Sequence, residues 1–131
     1  MKIKLVSDLH LEFSDINITN DDKCDVLILS GDIMVAQDLH DHHAADFSPY
    51  SNGALADLGR KLQRVARFRD FLKRCSFQFP HVVYVAGNHE FYHGKFFAGV
   101  DYLREECSKY PNIYFLECDT KVIDDVTFIG A

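Results

Sequence analysis

The stretch that decides the fold is VVYVAGNHE, residues 82–90. Its first five residues form an unbroken apolar run, which is typical of a strand buried on both faces of a sheet. The polar run Gly87-Asn88-His89-Glu90 follows directly. Ligands of parallel sheets bind just beyond the carboxyl ends of the strands. The stretch therefore predicts a buried strand that leads into a functional loop.

The same arrangement occurs twice nearer the N-terminus. Residues 2–6 and 25–30 are predicted strands, and they lead into Asp8-Leu9-His10 and Gly31-Asp32. Parallel strands would bring all three polar runs to one edge of the sheet. That edge would hold two aspartates, two histidines and one asparagine, a set that suits a hard or borderline metal ion.

Two helices are predicted between and after these strands. The first is expected over about residues 54–74 and is ended by Pro80. One face of this helix is formed by residues at steps of three and four: Leu55, Leu58, Leu62, Val65, Arg69 and Leu72. Five of these six residues are apolar. The second is expected over about residues 95–109. Its apolar face consists of Phe96, Val100, Leu103 and Cys107.

The remaining segments complete an α/β order. Residues 37–53 are mostly polar and end in a stretch with Ser, Pro, Asn and Gly, so they are predicted to be a loop. Short strands are expected over residues 113–116, 121–123 and 126–129, the last two around a turn at Asp124-Asp125. We therefore expect an α/β fold whose early strands are mostly parallel and whose late strands form a hairpin.

Composition limits the class of protein. A chain of 131 residues corresponds to one domain, and its net charge of −6 implies no general attraction to nucleic acid or to anionic membranes. Its apolar runs are too short to span a bilayer or to form a signal peptide. Four widely spaced cysteines form no Cys-x-x-Cys pair, so we expect reduced, buried thiols and a cytoplasmic location: Cys24, Cys75, Cys107 and Cys118.

The polar runs have the chemistry of a phosphoryl-transfer site. Asp8 and His10 are two residues apart, so both can reach one ion. The carboxylate of Asp32 can bridge two ions, and Asn88 offers a neutral carbonyl oxygen. His89 need not bind metal, since it could protonate a leaving oxygen or steady an anionic substrate. Two ions about 3.5–4 Å apart would clamp a phosphoryl group.

These motifs resemble the calcineurin-like metallophosphoesterase superfamily. The family pattern is Asp-x-His, Gly-Asp and Gly-Asn-His-[Asp/Glu], followed by a later His and a Gly-His-x-His. The resemblance implies a two-sheet β-sandwich flanked by helices. It also implies that Asp8 and His10 bind the first metal, that Asp32 bridges both metals and that Asn88 binds the second. His89 would be the catalytic or phosphate-contacting histidine.

The resemblance also assigns supporting residues and shows two departures. Glu90 would orient His89, as a carboxylate beside a functional histidine commonly does. Val35 stands where the family often has a further Asp, and no residue after His93 is a histidine. We therefore expect residues 1–131 to be a single, partial domain that lacks much of the second sheet. The second metal would keep only Asp32 and Asn88.

The expected function is hydrolysis of a phosphomonoester or phosphodiester by a two-metal mechanism, with Mn²⁺, Fe, Zn²⁺ or Ni²⁺ as the two divalent ions. The short chain would be inactive or weakly active, or a second chain or dimer partner would complete its site. The alternative is a non-catalytic remnant or a protein-binding scaffold that keeps the phosphoesterase fold.

Several further residues allow two interpretations. The loop histidines His40, His42 and His43 either fold over the site or lie in solvent, and His93 either contacts substrate or lies on the surface. Seven basic residues on the first helix form a solvated face, or else bind an acidic partner or a nucleic-acid backbone. They are Arg60, Lys61, Arg64, Arg67, Arg69, Lys73 and Arg74.

Overall fold

The computed structural model describes residues 1–40 and 52–131, and for residues 52–57 it describes the backbone only. The strands are β1 (Ile3–Val6), β2 (Val26–Ser30), β3 (His81–Val85), β4 (Ile113–Phe115), β5 (Asp119–Ile123) and β6 (Val126–Gly130). The helices are α1 (Asn52–Gln78) and α2 (Phe96–Ser108), with 3₁₀ turns at Ala36–Leu39 and His89–Phe91.

The first four strands form one parallel sheet in the order β1-β2-β3-β4. Leu5 pairs with Ile28 across β1 and β2, and Leu29 pairs with Tyr84 across β2 and β3. Strands β5 and β6 form a separate antiparallel hairpin around the predicted turn. The predicted α/β fold, with parallel early strands and a late hairpin, is therefore confirmed.

The main core lies between one face of the parallel sheet and the two helices. Alternate strand residues point to this face, as the period of two requires. The sheet contributes Leu27, Leu29, Val82, Tyr84, Ile113 and Phe115, and the helices contribute Phe68, Phe71, Leu72, Cys75, Val100, Leu103 and Cys107. Because this layer buries the strands' helix-facing side chains, it fixes the direction in which their carboxyl-end loops leave the sheet.

The opposite face of the sheet carries a smaller core. Val26 and Val83 pack there with Leu116 and with Ile123 of the hairpin. Leu5 of the edge strand β1 is 65% exposed. The hairpin therefore covers only part of this second face among the described residues.

Several predicted boundaries and faces differ from the structure. Helix α1 is longer at both ends than residues 54–74, and part of the predicted loop 37–53 is helical, since a 3₁₀ turn covers Ala36–Leu39 and α1 begins at Asn52. Residues 41–51 of that loop lie outside the described residues. Leu62 is 59% exposed, and Val65 is the first buried side chain of α1 among those described, which begin at residue 58. Phe96 opens α2 and is 45% exposed.

The cysteines follow the prediction with one exception. Cys24, Cys75 and Cys107 are buried free thiols, whereas Cys118 is exposed in the turn before β5. Burial raises the pKa of both Cys75 and Cys107 to about 12. The thiols of Cys75 and Cys107 are therefore fully protonated at neutral pH and pack as small apolar side chains.

Most basic residues of α1 contact neighbouring segments of the same chain. Arg64 forms a two-point ion pair with Asp38, and Arg69 pairs with Glu106. Arg67 donates a hydrogen bond to the carbonyl of Leu11. These contacts favour the interpretation of a solvated, internally paired face over that of a nucleic-acid surface. No helix among the described residues is long and apolar enough to cross a membrane.

Candidate metal centre

The loops after β1 and β2 continue the pairing of their strands. The amides of Asp8, His10 and Leu11 donate to the carbonyls of Gly31, Asp32 and Ile33 at 3.0, 3.0 and 2.9 Å. Asp8, His10 and Asp32 have left-handed backbones, with φ of 55°, 47° and 54°. Residues with side chains rarely adopt this conformation, and such strain concentrates at functional sites.

This pairing brings Asp8, His10 and Asp32 together at the carboxyl end of the sheet. One ligand atom from each lies within 4.8 Å of the others. Nε2 of His10 is 4.0 Å from Oδ1 of Asp8. One imidazole nitrogen and two carboxylates form a mixed set that suits a divalent transition metal. The residues present therefore fit the first metal that the sequence motifs imply.

Two glycines allow the loops after β2 and β3 to touch. Gly31 has a φ of 82°, and a Cβ atom on it would lie 2.9 Å from the backbone of Gly87. A Cβ atom on Gly87 would overlap Oδ1 of Asp32. Each position thus lacks room for a side chain, and the close approach places Asp32 beside the loop that carries Asn88.

Asn88 and His89 both reach the carboxylate of Asp32. The backbone amide of His89 donates to Oδ1 of Asp32 at 2.9 Å. One end of the Asn88 side-chain amide lies 3.1 Å from both oxygens of Asp32, and the other lies 3.2 Å from the hydroxyl of Tyr92. With nitrogen toward Asp32 the amide donates to the carboxylate. With oxygen toward Asp32 it adds a third acceptor, which is the arrangement that binding a shared cation requires.

Glu90 does not orient His89 as expected. Its side chain is fully buried, and it accepts hydrogen bonds from the amides of Asp32, Ile33 and Gly87 at 2.9, 2.7 and 2.8 Å. The Tyr84 hydroxyl also donates to it at 2.8 Å. Burial, together with this carboxylate, raises the pKa of Tyr84 well above its usual value. Glu90 therefore joins the two loops, because its carboxylate is occupied by their backbone amides and by Tyr84.

The carboxylate that contacts the imidazole ring of His89 is Glu12, a residue to which the sequence motifs assigned no role. Its Oε1 lies 2.9 Å from Nδ1 of His89 and 3.3 Å from Nδ1 of His10. The side chain is only 9% exposed. A sequence signal existed, because Glu12 extends the two-residue spacing of Asp8 and His10 by one further step.

A cavity of about 310 Å³ adjoins His89. It is lined in part by Glu12, Phe13, Arg64, His89, Tyr92 and His93. The ring of Tyr92 lies 4.1 Å from that of His89, so Tyr92 packs against the imidazole. His93 thus borders the space where a substrate would lie.

The loop histidines do not gather at this centre in the described part of the chain. His40 stacks on Tyr102 of α2, with ring centroids 4.9 Å apart, on a different surface. His42 and His43 lie outside the described residues. Among residues 1–40 and 52–131, the groups able to hold an ion are Asp8 with His10 and Asp32, and His10 with Glu12 and His89.

Comparison with known proteins identifies the family. A model of the calcineurin-like phosphoesterase family matches residues 1–128, and the chain belongs to that family. The resemblance drawn from the motifs is thereby confirmed. The chain is also 27% identical, over 134 residues, to an uncharacterized protein of Acanthamoeba polyphaga mimivirus. That match covers 98% of this chain but 42% of the viral protein, so the chain spans less than half of the relative's length. No solved structure matches the chain.

Proposed function

We propose that this protein is a metal-dependent phosphoesterase that hydrolyses a phosphomonoester or phosphodiester. The observation that carries the proposal is the convergence of Asp8, His10, Asp32 and Asn88 at one sheet edge, with His89 beside them. The carboxylates of Asp8 and Asp32 lie close together there, an arrangement that their mutual repulsion disfavours unless a cation is shared.

The residues support one well-held ion and one weakly held ion. Asp8, His10 and Asp32 would hold the first, while Asp32 and Asn88 alone would hold the second. Mn²⁺, Fe, Zn²⁺ or Ni²⁺ suits these nitrogen and oxygen ligands. When bound, such ions neutralise phosphoryl charge and lower the pKa of a bound water.

The neighbouring side chains would position the substrate. Glu12 accepts a hydrogen bond from Nδ1 of His89, so Nε2 is the nitrogen left to face a substrate. In the imidazolium form, its N–H would donate to a phosphoryl oxygen or protonate the leaving oxygen. The organic part of the ester would occupy the cavity bordered by Tyr92 and His93. Arg64 also borders this cavity, where it forms a two-point ion pair with Asp38.

A second chain or dimer partner would complete the second metal shell. Two protein ligands hold a divalent ion weakly, and a partner could supply the others. Under this proposal the specific activity rises with protein concentration, because assembly completes the site. A specific activity independent of concentration would show that the chain works alone.

The test compares the wild type with Asp32→Asn and with the control Asp101→Asn, which alters an exposed carboxylate on α2. Metal content is measured after loading with Mn²⁺, and hydrolysis is measured with p-nitrophenyl phosphate and bis(p-nitrophenyl) phosphate. We expect Asp32→Asn to lower hydrolysis by about 100-fold or more, since a bridging ligand is lost. The control should retain wild-type activity.

The opposite result would point to a different class of protein. Absence of hydrolysis in the wild type, with less than one ion bound per chain, would contradict the catalytic proposal. The weak second shell would then support the alternative of a binding scaffold with the phosphoesterase fold.

A further inference from the structure

Glu12 lies between the two histidines of the candidate centre. One of its oxygens, Oε1, is 2.9 Å from Nδ1 of His89 and 3.3 Å from Nδ1 of His10. The two rings meet edge to face, with centroids 4.4 Å apart. We propose that Glu12 is a positioning residue that holds both rings as Nδ1–H tautomers. The consequence of this positioning for catalysis rests on the proposed function, whereas the contacts of Glu12 with the two rings do not.

The tautomers follow from the chemistry of the contacts. A carboxylate can only accept hydrogen bonds, so each Nδ1 that contacts it must carry the hydrogen. The lone pair of each ring then lies on Nε2. For His10 this nitrogen faces Asp8, within the group that can hold an ion, and a metal needs that lone pair. For His89 it is the nitrogen left available to a substrate.

The burial of Glu12 supports a role beyond stability. Its side chain is 9% exposed, and its second oxygen, Oε2, is buried with no hydrogen-bond partner among the described residues. An unpartnered buried carboxylate oxygen loses its hydration without compensation. A residue that served only to stabilise the loop would gain nothing from this arrangement.

The other residues of the cavity do not supply this contact. Asp38 lines the same cavity, but both of its oxygens accept hydrogen bonds from Arg64. Val35 also lines the cavity and has no polar side-chain atom. Glu90 is engaged by backbone amides. Glu12 is therefore the carboxylate that orients His89 in the described part of the chain.

The same three side chains could instead bind an ion directly. Direct coordination by His10, Glu12 and His89 would use the two Nδ1 nitrogens as ligands. Each Nδ1 would then have to be free of hydrogen, so a neutral ring would carry its hydrogen on Nε2. The two arrangements thus predict opposite tautomers, which makes the inference testable without any measurement of catalysis.

The experiment records ¹⁵N chemical shifts of the imidazole nitrogens at about pH 8.5, where an ordinary histidine ring is neutral, in metal-free protein and in protein loaded with diamagnetic Zn²⁺. It compares the wild type with Glu12→Ala, Glu12→Gln and the control Glu105→Ala, which alters an exposed carboxylate on α2. We expect Nδ1–H tautomers for His10 and His89 in the wild type and in the control.

The two Glu12 variants separate orientation from folding. Glu12→Gln keeps an acceptor oxygen and should retain the Nδ1–H tautomers, whereas Glu12→Ala should release both rings toward Nε2–H. Wild-type rings with the hydrogen on Nε2 would overturn the inference, as would unchanged tautomers in Glu12→Ala. A similar change in Glu105→Ala would also overturn it.

The second measurement is the rate of ester hydrolysis by metal-loaded protein. We expect Glu12→Ala to lower kcat by about 10- to 100-fold with little change in KM, and Glu12→Gln to recover most of that loss. Equal kcat in Glu12→Ala and wild type would contradict a positioning role. If the wild type does not hydrolyse the test esters, the proposed function fails while the tautomer result still decides the inference.

Discussion

At the scale of single residues, the centre depends on two glycines, because there is no room for a side chain at either position. Gly31 and Gly87 approach each other so closely that neither backbone leaves room for a Cβ atom. The loop of β3 can therefore lie against Asp32, and the amide of His89 can reach its carboxylate. Small size at these positions is as necessary to the site as the ligands themselves.

Gly87→Ala should damage metal binding more than it damages the fold. The added methyl group would overlap Oδ1 of Asp32 and push the carboxylate away from Asp8 and His10. We expect the affinity for Mn²⁺, measured by isothermal titration calorimetry, to fall at least about 10-fold. Unfolding is followed in parallel by circular dichroism.

Gly59→Ala is the matched control, because a Cβ atom added at this position of α1 would meet no other part of the described chain within 4 Å. Alanine is the better helix former, so this variant should gain about 0.5–1 kcal/mol of unfolding free energy and bind metal normally. Wild-type Mn²⁺ affinity in Gly87→Ala would contradict the steric argument.

The individual residues of the centre could be predicted only in part. Spacing in the sequence identified Asp8, His10 and Asp32, and the structure brings them together. Spacing links Glu12 to Asp8 and His10, but it does not show which of the two carboxylates, Glu12 or Glu90, contacts the imidazole of His89. Which carboxylate reaches an imidazole depends on the left-handed turns at positions 8 and 10 and on the backbone amides that compete for Glu90.

At the scale of elements, Glu90 joins the ends of β2 and β3. The 3₁₀ turn His89–Phe91 directs its side chain inward, where it accepts from backbone amides of both loops and from Tyr84 on β3. Without it these buried donors would lose their partner, and unpartnered donors are costly. The junction therefore joins the loop that carries Asp32 to the loop that carries Asn88.

Glu90→Gln should destabilise the protein strongly. The glutamine NH₂ group would face amides that need an acceptor, so we expect a loss of about 2–4 kcal/mol in the free energy of unfolding in urea. Tyr84→Phe removes only one donor to the same carboxylate and should cost about 1 kcal/mol. Equal losses in the two variants would show that the amide contacts of Glu90 contribute little.

The kind and order of these elements were easier to predict than their ends. Strongly apolar runs identified every strand of the parallel sheet, and periodicity identified both helices. The start of α1 at Asn52 was missed because Ser, Asn and Gly favour turns, and residues 51–53 are of these three types. The exposure of Leu62 depends on where the sheet lies under α1, which periodicity does not contain.

At the scale of the whole molecule, the core includes two thiols whose protons are held by burial. Cys75 and Cys107 come from different helices and meet the same main core, and the pKa of each is about 12 instead of 9.0. Below pH 9 both the folded and the unfolded chain keep these protons. Between about pH 9 and pH 12 the unfolded chain releases them and the folded chain does not.

Stability should therefore fall as the pH rises above 9. Within that window, each thiol lowers the free energy of unfolding by about 1 kcal/mol for each pH unit. Urea unfolding at pH 8, 9 and 10 measures the effect. The double variant Cys75→Ala with Cys107→Ala should be less stable at pH 8 but should show a shallower decline. An identical slope in both proteins would exclude these thiols as the cause.

The overall α/β arrangement was predictable because it depends on the order of apolar runs, which is a property of the chain itself. The uneven covering of the two sheet faces was not predictable from periodicity. On β1, Leu5 is 65% exposed while Lys4 is half-buried, the reverse of what apolar and polar alternation predicts.

The left-handed backbones at Asp8, His10 and Asp32 have a consequence for directed evolution. Each costs the folded state about 1–2 kcal/mol relative to a relaxed conformation, and glycine would remove that cost. A library selected only for survival at high temperature would be expected to enrich glycine at positions 8 and 32. Such a selection would yield more heat-resistant proteins that lack the proposed metal ligands Asp8 and Asp32. A selection scheme for this protein must therefore reward metal binding as well as heat resistance.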